Sequence, residues 1–179
     1  MRRVSPAHET RFTDAVSANE RDLLRYFLRR IPNPADAAEA HGELLMTAWR
    51  LHRRLPHDRT QARMWLFGIA HNVLRSARRA SARHTAAMQT FIDEARTLPM
   101  PQPEAEIVEL RDAIASLPPA EAELVRLIYW DGFKSHEAAA ILGINASTAR
   151  SRLTRAKARL HTLLRPTSGR AMDAAATPG

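Results

Sequence analysis

"SHEAAAILGINASTARSRLTRAKARL" (residues 135–160) is the stretch that decides the fold. Its first half has the form of a short helix stopped by a glycine, and its second half that of a longer helix begun by a cap. Ala139 stands where two helices cross closely and a larger side chain would clash. Gly143 follows four residues later, where the first helix must end with a positive φ, a conformation glycine adopts cheaply. Ile144 plugs the gap between the helices. Asn145 is placed to cap the next helix by accepting from its free N–H groups. A small residue, a glycine and a capped second helix at this spacing predict a helix-turn-helix.

The second helix is basic and amphipathic, which fits either a helix that reads DNA or one that only covers a core. Winding it at 100° per residue with Ala149 at the origin puts Leu153, Ala156 and Leu160 within about 40° of it, a buried stripe. The opposite face holds Ser147, Ser151 and Thr154 with Arg150 and Arg155 on its two sides, and Arg152, Lys157 and Arg159 lie on the flanks. Short hydrogen-bonding side chains with arginine at the centre and cations at the shoulders suit a major groove and its phosphates. A purely structural helix would mix glutamate with its arginines to gain i,i+4 pairs. The absence of acids on this helix favours the DNA reading.

Charge along the whole chain agrees. The net charge is +8 and the isoelectric point about 11.2, which favours a polyanionic partner. Residues 50–83 carry nine arginines and one acid, residues 84–146 four bases and ten acids, and residues 147–165 six bases and no acid. This basic, acidic, basic order predicts two separate polyanion-facing surfaces with a segment between them that avoids DNA.

Helical periodicity dominates elsewhere too. A first helix is expected over about 12–30 with Phe12, Val16, Leu23, Leu24, Phe27 and Leu28 inward. "IPNPADA" (31–37) breaks it, with Asn33 as a cap before Pro34 opens a second helix that carries Leu44, Leu45, Ala48 and Trp49 into the core. A basic loop over 53–61 leads to a third helix over about 61–80. In it Leu66, Ile69, Ala70, Val73 and Ala77 form one face and Gly68, His71, Asn72, Arg75, Arg78 and Arg79 the other. A polar face of Asn, His and Arg suits single-stranded DNA, whose base edges and backbone are both within reach. Trp65, at the edge of the apolar stripe, is read as core rather than as a platform for a base. Residues 80–106 lose the periodicity and are read as a linker with a short frayed helix around 84–96. Ile107, Leu110, Ile114 and Leu117 then mark a helix ended by Pro118-Pro119, followed by a helix over about 119–130, a "DG" turn, and the two motif helices. The fold class is therefore all-α, with two small helical domains (8–80 and 107–165) joined by a flexible linker (81–106), the second a helix-turn-helix. Residues 166–179 are expected to be disordered.

With these residues in view, "LPPAEAELVRLIYWDGFKSHEAAAILGINASTARSRLTRAKARLHTLL" (117–164) resembles region 4 of bacterial sigma factors of the small extracytoplasmic-function type. "DAAEAHGELLMTAWR" (36–50) and "ARMWLFGIAHNVLRSARR" (62–79) resemble region 2 of the same family, in the family's order. The resemblance implies a sigma factor that binds core RNA polymerase and promoter DNA, directs the enzyme to promoters with two spaced elements and assists duplex opening. It implies base-facing roles for Arg150, Ser151, Thr154 and Arg155 in the minus-thirty-five element. Asn72 is implied to read a base of the opened minus-ten element, with Arg75, Arg78 and Arg79 on its backbone and the 53–61 loop beside them. The 36–50 helix is implied to dock on the polymerase clamp through Asp36, Glu39 and Glu43, and an anti-sigma factor is implied as a further partner. Several positions depart from the family pattern. His136 replaces an acid, Ala138 and Ala149 replace larger aliphatics, and Ala40-His41-Gly42 interrupts the docking helix, where glycine costs about 1 kcal/mol relative to alanine.

Other chemistry finds no footing in the residues. There is no cysteine, so disulfides, thiolate metal sites and cysteine nucleophiles are excluded. Eight histidines show no close ligand spacing, and no glycine-rich phosphate loop or nucleophile motif is present. No enzymatic activity, cofactor, metal or small-molecule substrate is expected. No run of about 18 apolar residues occurs, so a cytoplasmic location without membrane insertion is expected. Two rival functions share the same residues: an autonomous helix-turn-helix regulator that has lost the polymerase, and a sigma mimic that titrates an anti-sigma protein.

Overall fold

The computed structural model describes residues 6–88 and 105–164, with side chains placed at 8–79 and 108–164. All regular structure among them is helical: α1 (Pro6–Leu28), α2 (Pro34–Arg50), α3 (Arg59–Met88), α4 (Ala105–Ala115), α5 (Pro119–Tyr129), α6 (Ser135–Leu142) and α7 (Ala146–Leu163), with a 3-10 turn at His52–Arg54. Helix α1 begins at Pro6, ahead of its apolar pattern, a proline being well suited to the first turn, where its missing N–H would have no helical partner. Helix α3 runs eight residues past the expected end at 80 and takes up the start of the expected linker. No proline or glycine between 69 and 88 is there to stop it. The rest of the expected 84–96 helix, the remaining linker and the tail lie outside the described residues.

Helices α1, α2 and α3 pack pairwise into one bundle, and α4 to α7 into a second. Asn33 begins α2 by accepting from the Ala35 N–H at 2.9 Å, and Asp58 Oδ1 accepts from the Gln61 N–H at 2.9 Å at the start of α3. The first core holds Phe12, Leu23, Phe27, Ala37, Ala40, Leu44, Ala48, Leu66, Ala70 and Val73. Four residues expected inside, Leu24, Leu28, Trp49 and Leu110, are exposed. Tyr26, absent from the expected set, is completely buried. Trp49 instead stacks on His52 with ring centroids 5.0 Å apart and meets the edge of Phe12 at 5.4 Å, forming an aromatic patch at the surface. Trp65 is partly buried against the core.

The two bundles are not independent, since α3 packs on α6 and their cores are continuous. Phe67 of α3 meets Tyr26 at 5.5 Å on one side and Phe133 of the second bundle at 4.8 Å on the other. Phe67 and Leu74 are both fully buried, although the wheel for α3 gave them no inward place. A one-helix wheel sees a single buried stripe, whereas α3 buries one stripe in its own bundle and a second against α6. The second bundle adds a small core of its own from Ile114, Leu117, Ala122, Val125 and Ala156.

Candidate nucleic-acid interface

The helix-turn-helix is built as its residues require. Gly143 ends α6 at φ +65°, and its N–H and that of Ile144 reach back to the Ala140 and Ala139 carbonyls at 3.2 and 3.0 Å. Asn145 Oδ1 accepts from the Thr148 N–H at 2.8 Å and from Ser147 Oγ at 2.7 Å. The two motif helices pack together, and Ala138 and Ala139 on α6 and Ala149 on α7 are all buried. Ala138 and Ala149 are thus both core positions of the motif.

On α7, Ala149 and Ala156 are buried and Leu153 and Leu160 half-buried, while Ser147, Arg150, Ser151, Thr154, Arg155, Lys157 and Arg159 are exposed and Arg152 is half-buried. The Ser151 and Thr154 hydroxyls donate to the Thr148 and Arg150 carbonyls at 3.0 Å each, so in the free chain they are turned onto the helix. The acid-free reading of this face needs correction. Glu121 of α5, itself only 6% exposed, faces Arg155 Nε at 3.4 Å and Arg159 Nε at 3.3 Å. The glutamate missing from α7 comes from the neighbouring helix, which no pattern within α7 reveals. Lys157 Nζ lies 5.9 Å from the centre of the Tyr129 ring.

On α3, Asn72, Arg75, Arg78 and Arg79 are exposed and His71 is half-buried. His71 shares a groove with Arg75, Arg78, the first turn of α5 at Pro119 and Ala120, Glu123 and Arg152. Burial pushes the His71 imidazole below its ordinary pKa; Glu123 opposes this, and Arg75, Arg30 and Arg78 add to it. The neighbouring 53–61 loop is tied to α1 by Arg11, which donates to His57 Nδ1 at 2.7 Å and to the Leu55 carbonyl at 3.3 Å. The structure therefore brings Arg152 to the α3 face, where the charge blocks predicted two separate surfaces.

Two carboxylates of the acidic segment, Glu123 and Asp131, are buried where the second bundle meets the end of α1. Arg30, in the turn that follows α1, donates from Nε to Glu123 Oε1 and Oε2 at 2.9 and 3.1 Å and from Nη2 to Asp131 Oδ2 at 2.6 Å. Its guanidinium lies 3.7 Å from the centre of the Tyr26 ring, and the Tyr26 hydroxyl donates to Glu123 at 3.1 Å. Burial of Arg30 works against its charge, but Glu123, Tyr26 and Asp131 outweigh it and raise its pKa. Burial raises the Asp131 pKa, with Arg30 and Arg29 opposing. Arg63 closes the rim, bonding Asp22 at 2.8 Å and the Asp131 carbonyl at 2.7 Å.

On α2, Asp36, Glu39 and Glu43 are exposed, and Met46, 56% exposed, stands one turn beyond Glu43. Of the interrupting triplet, Ala40 is buried in the core, His41 packs edge-on to Phe27, and a Cβ added at Gly42 would meet nothing within 4 Å. Met46 is the feature of this face that sequence reasoning missed, and its signal was an apolar residue off the Ala37–Leu44–Ala48 stripe.

These features define a class: an all-helical protein with a helix-turn-helix, a second basic helix and a helix with an exposed acidic face. Residues 15–84 match the family model for sigma-70 region 2, and residues 107–160 the model for sigma-70 region 4. The chain is 30% identical over 138 residues to the RNA polymerase sigma factor NccH of Alcaligenes xylosoxydans xylosoxydans, covering 73% of this chain and 74% of that one. It is 28% identical over 136 residues to the ECF RNA polymerase sigma factor SigL of Mycobacterium tuberculosis, covering 73% and 76%. The sigma factor RpoE of Bartonella quintana, solved in complex with the anti-sigma factor NepR, superposes with a TM-score of 0.69 at 25% identity, over 86% of this chain and 96% of that one. The chain belongs to the sigma-70 family, as a sigma factor of the extracytoplasmic-function type that directs core RNA polymerase to promoters. Among the described residues no helix is long and apolar enough to cross a membrane.

Proposed function

We propose that α7 reads the duplex of the upstream promoter element and α3 holds the opened strand of the downstream one, while α2 docks on the polymerase. On α7, Arg150, Ser151, Thr154 and Arg155 meet base edges, and Ser147, Arg152, Lys157 and Arg159 meet backbone. On α3, Asn72 reads a base, His71 lines the strand's path, and Arg75, Arg78 and Arg79 hold phosphates. Asp36, Glu39 and Glu43 form the polymerase-facing surface. The protein performs no covalent chemistry and works in the cytoplasm. An anti-sigma factor is a further partner, in keeping with the complex in which the RpoE relative was solved.

The observation that carries this reading is the division of α7 into a buried alanine stripe and an outward face of Ser, Thr and Arg. Its test is transcription reconstituted with core polymerase on promoter templates drawn from the host genome. Promoter-specific transcripts are expected, and lost when Asp36, Glu39 and Glu43 are changed together to Lys. Sequence-specific duplex binding with no gain on adding polymerase would instead establish an autonomous regulator. Tight capture of an anti-sigma protein with neither activity would establish a mimic.

A further inference from the structure

Glu121 is covered at a cost that folding does not recover. It stands in the first turn of α5, 6% exposed, and its carboxylate lies 3.4 Å from Arg155 Nε and 3.3 Å from Arg159 Nε on α7. Both arginine side chains stay more than half exposed, at 59% and 55%, so water screens the pairs and they add little to stability. Covering a carboxylate costs desolvation all the same, and Oε2 accepts no hydrogen bond from the described residues in return. The Arg159 Nε–H that it faces is therefore still free for another acceptor. Arg155 and Arg159 lie one turn apart on α7, where like charges repel. A carboxylate facing both relieves that repulsion and lowers their combined charge by one. Of the three groups Glu121 is the fixed one. Its N–H reaches back to the Pro118 carbonyl at 2.8 Å, and α5 packs along α7, so the flexible arginines adjust to it.

We propose that Glu121 is a specificity-determining residue of the duplex-reading helix, acting as a positioning residue from the helix behind it. It draws Arg155 and Arg159 toward the body of the domain and away from phosphates. Its role rests on the duplex-reading assignment of α7 made above. An untethered arginine on this flank would take the nearest phosphate, a contact that every duplex offers alike. Arg155, held beside a fixed carboxylate, loses that freedom, and its remaining N–H groups are left for a base edge, where only a matching base fits the fork. The carboxylate also repels phosphates that come near it. A duplex with no matching base therefore gains less from the two arginines than it otherwise would. Specificity is a difference of affinities, and Glu121 widens it by weakening the part that all sequences share.

The test compares the full-length chain with Glu121→Gln, which keeps the shape and removes the charge, on a selected and a random duplex across salt concentrations. Random-duplex affinity should rise several-fold in the variant, selected-duplex affinity should change less, and the salt slope on random duplex should steepen by about one. Glu121→Asp, which keeps the charge but withdraws it by one methylene, should fall between the two. An unchanged ratio and slope in Glu121→Gln overturns the proposal. A role confined to the packing of α5 on α7 would persist without the arginines. Glu121→Gln is therefore repeated in a chain carrying Arg155→Ala and Arg159→Ala, where it should alter neither ratio nor slope; the same shift in that background also overturns the proposal. Equal binding of both duplexes by the unaltered chain would overturn the reading of α7 itself. The hold on the arginines is then decided on the free chain by nuclear magnetic resonance. The Nε–Hε signals of Arg155 and Arg159 should both move in Glu121→Gln, and signals that stay in place would remove Glu121 as their positioning residue.

Discussion

At the scale of single residues, the informative side chains are the arginines of α7 and the carboxylate behind them. Arg150 is exposed and makes no ion pair among the described residues, whereas Arg155 and Arg159 share Glu121. Arg150→Ala is therefore expected to cost about 1–3 kcal/mol on the preferred duplex and to relax selection at one base position. Lys157→Ala should weaken all duplexes alike and lower the salt slope by about one. Competition binding on a duplex selected from a random library, repeated across salt concentrations, measures both. Equal loss on selected and random duplexes for Arg150→Ala would remove it from the base-reading set. Glu121→Gln removes a buried negative charge from beside Arg155 and Arg159, so binding to random duplex should rise and the ratio of selected to random binding should fall.

At the scale of elements, the turn between α6 and α7 carries the motif's geometry. Gly143 holds φ +65° and a Cβ there would meet nothing, so any cost of substitution is conformational alone. Gly143→Ala is expected to destabilise by roughly 1–2 kcal/mol, the cost of placing an L-residue in the left-handed region. Asn145→Ala removes the acceptor of the Thr148 N–H and should cost about 1 kcal/mol. Urea unfolding of each variant, followed by helicity, checks both; a Gly143→Ala midpoint no lower than that of the unaltered chain would contradict the strained-turn account. These two residues were legible in the sequence because a turn depends on its own few residues. The length of α3 and its second buried stripe were not, since they depend on what packs against it.

At the scale of the whole molecule, the packing of the two bundles couples charge to pH. The folded chain holds His71 below its ordinary pKa, chiefly by burial, so it favours the neutral ring. His71's contribution to stability is therefore present above about pH 6.5, the unperturbed imidazole value, and is lost as pH falls through the depressed one. His41, also lowered by burial, packs on Phe27 within the first bundle and acts in the same direction. Asp131 shifts the other way: its raised pKa makes protonation favour the folded form, but in the carboxylate range further down. Between pH 7.5 and 5.5 the urea midpoint should fall in the unaltered chain and fall less in His71→Asn; equal pH dependence in both would exclude His71 as a source of it. Arg30→Ala, which leaves two carboxylates buried without their cation, should remove about 3–5 kcal/mol of stability in the same urea titration.

The sequence by itself determined the local grammar: the all-helical class, the glycine stop and asparagine cap of the motif, and the outward Ser, Thr and Arg face of α7. Each of these follows from spacing along one helix or from the backbone needs of one turn, and such terms act over a few residues. The tertiary structure alone decided what meets across the chain. Arg30 and Asp131 lie 101 residues apart, yet they share a 2.6 Å hydrogen bond. Glu121 supplies the acid that α7 lacks, and Phe67 is covered from both bundles. A charge count is silent on these pairings because it records only sign and position along the chain. Whether a carboxylate faces water or a guanidinium depends on which helices pack together, and that is settled only when the two bundles bury surface against each other.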